Sequence, residues 1–84
     1  DYTNVKDVVN ANILATECTE GFGEVYNIGT GKSYSILDLC DLIGGEFEFI
    51  PERIGECRLT QADNTKAKKI LKWKPQVKLE DYFK

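Results

Sequence analysis

Histidine is missing from this chain altogether. The side chain that most readily exchanges a proton near neutral pH therefore has no part in whatever the chain does. Methionine is missing too, and the 84 residues open on Asp1. That start predicts a processed or excised piece of a longer chain. Cysteine is sparse: Cys18, Cys40 and Cys57 are odd in number and far apart. No two of them have metal-ligand spacing, and a zinc site would lack its usual second ligand type. Free thiols are expected, with Cys18 and Cys40 acting as small hydrophobes on apolar helix stripes. No apolar run approaches the roughly 20 residues that span a bilayer, and no basic start followed by an apolar segment suggests a signal peptide. The net charge of −3 comes without a basic block, which argues against nucleic acid as a partner. A cytoplasmic chain with neither a membrane nor a nucleic-acid partner is the expectation.

What is present is ordinary for a globular chain: 42% hydrophobic and 30% charged residues. Residues 1–84 make one small domain, near the size at which a single core is just sufficient. Residues 2–5 are short and β-prone. Asp7 is the expected N-cap of a first helix whose stripe is Val8, Ala11, Leu14, Ala15 and Cys18, ended by Gly21 and Gly23. Residues 24–28 read as a strand, rich in β-branched and aromatic side chains. Ser35, with Asp38 three residues on, predicts a capped second helix burying Ile36, Leu39, Cys40 and Ile43 and stopped by Gly44-Gly45. Phe47 and Phe49 alternate with Glu46 and Glu48 as in a strand with one buried face. Residues 57–62 could form another short strand. Asp63 is expected to cap a third helix with Ala67, Ile70 and Leu71 inward, Trp73 following and Pro75 barring continuation. Residues 79–84 begin a further helix, too short to stand without tertiary support. Strand–helix–strand spacing favours parallel pairing of 24–28 with 47–50. The expected fold is a small α/β lobe with a short parallel strand pair and three to four helices.

Three motifs invite a chemical reading. Tyr26 to Ser33 follows a strand, precedes a helix and ends Gly-Lys-Ser, as a phosphate-binding P-loop does. A P-loop, however, needs glycine where Tyr26 stands. A tight turn with a solvated Lys32 accounts for the same residues. Gly29-Thr30-Gly31 is not a dinucleotide fingerprint, because its third glycine position is Tyr34. Of the four tyrosines only Tyr2 has a lysine four residues later, Lys6; with no dinucleotide fingerprint beside it, that spacing alone is not read as a proton relay. The third motif is Arg53-Ile54-Gly55-Glu56. A guanidinium suits phosphate oxygens and a carboxylate suits neighbouring hydroxyls, so the pair could grip two parts of one anionic ligand. A plain surface ion pair is the alternative, worth about 0–1 kcal/mol.

The order of these pieces resembles the extended short-chain dehydrogenase/reductase family, in particular nucleotide-sugar epimerases and dehydratases of the UDP-glucose 4-epimerase kind. Asp1-Tyr2-Thr3-Asn4-Val5-Lys6-Asp7-Val8-Val9 resembles the family's Arg-Asp-aromatic-x-x-Val-x-Asp-Val segment, starting just after its arginine. Val25 to Gly31 resembles its Tyr-Asn-Ile/Leu-Gly strand and turn, and Pro51 to Glu56 its Pro-x-Arg-x-Gly-Asp/Glu. Ala62-Asp63 with Lys66-Ala67, then Leu71-x-Trp73-x-Pro75, resembles its closing segment. The resemblance covers the whole chain and only the C-terminal, substrate-binding part of such enzymes.

It implies that Arg53 meets the diphosphate of a nucleotide sugar, UDP-linked, and that Glu56 holds the ribose hydroxyls. It implies a parent that is an NAD-dependent isomerase, with the NAD-binding Rossmann lobe and the catalytic tyrosine and lysine elsewhere. This chain would then hold no catalytic residue, no cofactor site and no metal, and would show no turnover alone. Four positions depart from the family pattern: Glu56 where aspartate is frequent, Thr60 where some epimerases have tyrosine, Lys72 where glycine is common, and Asn4 for an aromatic. Two other readings stand beside this one. The chain could be a stand-alone interaction module, a homodimer included, or a degenerate P-loop ATPase that depends on Lys32.

Overall fold

A computed structural model describes residues 1–83. The order of elements is α1 (Val5–Glu17), α2 (Ile36–Ile43), a π-helical segment (Ala67–Leu71) and α3 (Leu79–Tyr82). Lys84, the last residue of the expected terminal helix, lies outside the described residues.

The centre of the molecule is Trp73. It is fully buried, and with Ala11, Ala67 and Leu71 it makes the core. Leu14, Cys18, Tyr26 and Ile28 pack against that core from partly buried positions. The indole N–H donates to the Asp7 carbonyl over 2.9 Å, so the one large buried ring has its polar edge satisfied. Asp7 itself is only 2% exposed. Its two carboxylate oxygens accept the backbone amides of Gln76 and Val77 at 3.0 and 3.1 Å. One residue of α1 thereby holds Trp73 through its carbonyl and the following chain through its side chain.

That arrangement corrects the expected start of α1. Asn4 is the N-cap, its side-chain oxygen accepting the Lys6 amide at 2.8 Å. Asp7 lies in the first turn, where a negative charge also suits the helix dipole, but its oxygens are taken by the distant amides of residues 76 and 77. The helix also stops at Glu17, before the two glycines, and of its apolar stripe only Ala11 is fully buried.

α2 begins as expected. The Ser35 hydroxyl accepts the Asp38 amide at 2.9 Å and the Asp38 carboxylate accepts the Ser35 amide at 3.2 Å. Gly44, at φ +80°, donates to the Cys40 carbonyl and ends the helix. Its apolar stripe is not buried, however: Ile36 and Ile43 are exposed and Leu39 and Cys40 half-covered. Asp63 accepts the Thr65 amide and hydroxyl at 3.1 and 2.6 Å, close to its expected capping role. The helix it opens becomes π-helical and buries Ala67 and Leu71. Lys72 closes it in the left-handed conformation at φ +59°, the position at which the family resemblance implies glycine.

The expected parallel strand pair does not form. Among the described residues there is no strand: residues 24–28 and 47–50 have no ladder between them. Period-two alternation reports a face ready for burial, but it does not say which segment lies alongside. Residues 24–28 are held instead by side chains, Lys66 Nζ donating to the Val25 carbonyl and Asn64 Nδ2 to the Gly29 carbonyl. Residues 47–50 belong to an arm, 44–61, exposed throughout. The arm accounts for the molecule's spread. Its radius of gyration is 15.7 Å, against about 12 Å for a compact chain of this length.

Candidate functional site

The arm carries the predicted ligand pair. Arg53 Nε lies 2.6 Å from Glu56 Oε1, with the side chains 72% and 52% exposed. Gly55 between them adopts φ +90°, a conformation that disfavours any residue with a Cβ. The turn at Gly55 brings the two side chains to one surface, as the motif requires. Arg58 and Glu52 form a second ion pair on the same arm at 2.8 Å. An exposed pair such as Arg53–Glu56 is worth about 0–1 kcal/mol. A hydrogen bond from an ionised donor to a phosphate oxygen contributes about 1.5–3 kcal/mol. An ion pair this weak leaves both groups open to exchange with other partners.

The base of the arm is fastened to the turn at residues 29–33. Asp1 Oδ1 accepts the Thr30 amide at 3.1 Å and the Thr30 hydroxyl at 2.8 Å, with the Thr3 hydroxyl at 3.3 Å. Asp1 Oδ2 accepts the Gly31 amide at 3.0 Å and the Ala62 amide at 2.9 Å. Ser33 donates to the Thr60 carbonyl at 2.6 Å and Gln61 Nε2 to the Gly31 carbonyl at 2.8 Å. The approach is close enough that a Cβ on Gly29 would overlap the Ala62 methyl. This weighs against the P-loop alternative and for the tight turn. The turn amides that would cradle a phosphate already hold a carboxylate of the chain itself. For the same reason the turn does not fit a dinucleotide pyrophosphate.

A second polar group lies where α3 meets the turn. Tyr34 donates to Glu80 Oε1 at 2.7 Å, and Lys32 Nζ is 3.5 Å from the same oxygen. The Tyr34 hydroxyl, with help from Lys32, holds the Glu80 carboxyl below its ordinary range. The Tyr34 and Glu80 contacts likewise raise Lys32. Lys32 stays 65% exposed, as the tight-turn reading expects, and from there meets Glu80 and the Tyr34 ring, 4.9 Å from its centroid. Nearby, Tyr2, Val5, Leu39, Ile43, Leu79 and Tyr82 line a groove of about 430 Å³.

All three cysteines are free thiols, Cys57 exposed and the others partly covered. No group of three or more Cys, Asp or Glu side chains able to hold a metal occurs among the described residues. Nor is any described helix long and apolar enough to cross a membrane. Sequence reasoning found Arg53 and Glu56 because three residues with a central glycine are a local signal. It missed Asp1, Asn64 and Glu80, whose partners lie 29 to 61, 35 and 46 residues away.

No family model matches the chain. Curated proteins do. The UDP-glucose 4-epimerase of Mycolicibacterium smegmatis is 40% identical over 87 residues, covering 96% of this chain and 28% of that protein. The UDP-glucose 4-epimerase of Lactobacillus helveticus is 33% identical over 84 residues, covering 90% and 26%. Among solved structures, UDP-glucose 4-epimerase from Thermotoga maritima, determined with UDP-glucose, superposes with a TM-score of 0.89 at 42% identity. That match covers 99% of this chain and 28% of the other. The chain thus spans little more than a quarter of the length of the proteins it matches. Sequence and fold together place it among the relatives of UDP-glucose 4-epimerases, matching their C-terminal part.

Proposed function

We propose that this chain is the nucleotide-sugar-binding portion of an NAD-dependent epimerase of the UDP-glucose 4-epimerase kind. Arg53 engages the diphosphate of a UDP-sugar and Glu56 the ribose hydroxyls. One observation carries the assignment: the two side chains share one exposed surface, 2.6 Å apart across Gly55. The similarity to a structure determined with UDP-glucose supports the ligand class. The contribution is positioning, since holding the nucleotide handle fixes the sugar for groups that this chain does not carry. NAD, when bound in the parent, supplies hydride transfer at the sugar carbon, and its site lies outside the residues described above. The stand-alone interaction module is not favoured, because the likeness to part of a larger enzyme runs over essentially the whole chain.

The test is an NMR titration of the 84-residue chain with UDP, UDP-glucose and uridine. UDP and UDP-glucose should shift the amides of residues 52–58, and uridine should do so far less. Arg53→Ala should remove most of the difference between UDP and uridine. Equal response to all three ligands, or an Arg53→Ala chain that binds UDP as before, would refute the assignment. No epimerisation should accompany binding by the chain alone.

A further inference from the structure

The Asp1 carboxylate is a ligand for five donors, three of them backbone amides from two distant segments. Amides converging on one point form an anion nest. Here the anion is built into the chain. The nest has a mechanical consequence for the arm, which joins the body at two places. At residue 44 it leaves the glycine cap of α2, which is itself poorly buried. At residues 60–62 it returns against the turn, fastened through Asp1, Ser33 and Gln61. Between these bases the ion pairs Arg53–Glu56 and Glu52–Arg58 are local to the arm and fix nothing outside it.

We propose that Asp1 is a positioning residue for the ligand-binding arm. By plugging the nest formed by the Thr30, Gly31 and Ala62 amides, it sets where Arg53 and Glu56 stand relative to the body. The ligand part of this inference rests on the function proposed above; the positioning part does not. Removing the carboxylate leaves three amides facing one another without an acceptor, and each then seeks water. The returning stalk loses its carboxylate link at Ala62 and keeps the Ser33 and Gln61 bonds and the Asp1 ammonium on Thr60, while the Trp73 core keeps its contacts.

The test compares Asp1→Ala and Asp1→Asn with the parent chain, using three readouts. First, hydrogen exchange at Thr30, Gly31 and Ala62 should quicken in Asp1→Ala while the Trp73 indole N–H stays protected. Second, a spin label on Cys57, in a Cys18→Ser/Cys40→Ser background, should broaden amides of the body in a pattern that spreads when Asp1 is lost. Third, UDP-glucose affinity should fall about tenfold, as expected if the arm holds its competent position a tenth of the time. Formate, which can enter the emptied nest, should restore all three, and chloride should not. Asp1→Asn, which retains one oxygen, should fall between the two and guards against a variant that fails to fold. Unchanged exchange at the three amides, or an unchanged broadening pattern, overturns the proposal. If those two change and Arg53→Ala leaves affinity untouched, Asp1 positions the arm and the ligand assignment is what fails.

Discussion

The body around Trp73 and the arm from 44 to 61 are built on opposite plans. In the body, order comes from bonds between residues far apart in sequence. Trp73 reaches the Asp7 carbonyl across 66 residues, Asp7 holds the amides of Gln76 and Val77 across 69 and 70, and Asp1 holds Ala62 across 61. In the arm the ion pairs join residues only three and six apart, and every side chain is exposed, Ile54 completely. Long-range bonds enforce one geometry, whereas short-range exposed ones are cheap to open. The proposed ligand pair therefore sits on the plan whose bonds open most easily, and the body supplies the fixed reference against which it is held.

The strongest way to break this contrast is to remove the centre of the body. Trp73→Ala deletes the one large fully buried side chain and leaves the Asp7 carbonyl without its indole donor. Such truncations cost about 3–5 kcal/mol, which rivals everything a core of this size provides. The expected outcome is loss of a cooperative urea transition. A variant that still unfolds cooperatively near the parent midpoint would mean the body is anchored elsewhere. Asp7→Ala is next. It spares the indole bond, which uses the Asp7 backbone, but strips the Gln76 and Val77 amides of a charged acceptor. A loss of about 1.5–3 kcal/mol is expected, read as a lower urea midpoint at unchanged slope. Asn4→Ala, which removes only the N-cap, should cost about 1 kcal/mol.

The same contrast explains what could be read from the residues alone. α2 was legible because its signals are adjacent: Ser35 and Asp38 cap each other, and Gly44 supplies the left-handed stop. The proximity of Arg53 and Glu56 was legible for the same reason. The start of α1 was not, since Asn4 and Asp7 are both good caps and the choice was made by amides at 76 and 77. The strand pair failed because extended propensity in 24–28 and 47–50 says nothing about mutual distance, and the second segment lies out on the arm. The fate of the Gly29–Gly31 turn depended on Asp1, which carries no local mark of its role.

On the arm, a large effect on binding should come with a small one on stability. Arg53→Ala should weaken UDP binding by about ten- to a hundredfold, the equivalent of one charge-assisted contact, and change the unfolding free energy by less than about 0.5 kcal/mol. Comparable losses in both would join the arm to the body and erase the distinction. A smaller effect of opposite sign is expected at Lys72, which holds φ +59°. Glycine relieves the left-handed strain of about 1–2 kcal/mol but loosens the unfolded chain by about 0.4–1 kcal/mol. Lys72→Gly should therefore stabilise the body by about 0.5 kcal/mol in urea unfolding.

The smallest expected effect separates a body contact from the core by pH. Glu80 titrates below its ordinary value, first because Tyr34 donates to it, next because its own backbone N–H does, and last because Lys32 is near. Its folded pKa being the lower one, its contribution is present above the ordinary carboxylate range and fades as pH falls through the folded value. Tyr34→Phe removes the leading cause and leaves the backbone and Lys32 contacts, so the variant should weaken that dependence while keeping its ring against Lys32. The measurement is the proton exchange of α3 amides between pH 3 and 6 in the two chains. In the parent, exchange corrected for its intrinsic pH dependence should quicken toward the acid end; in Tyr34→Phe it should be faster throughout and less steep. A parent profile as flat as the variant's would mean that Tyr34–Glu80 contributes nothing to holding α3, leaving the Asp7 links to residues 76 and 77 as its anchor.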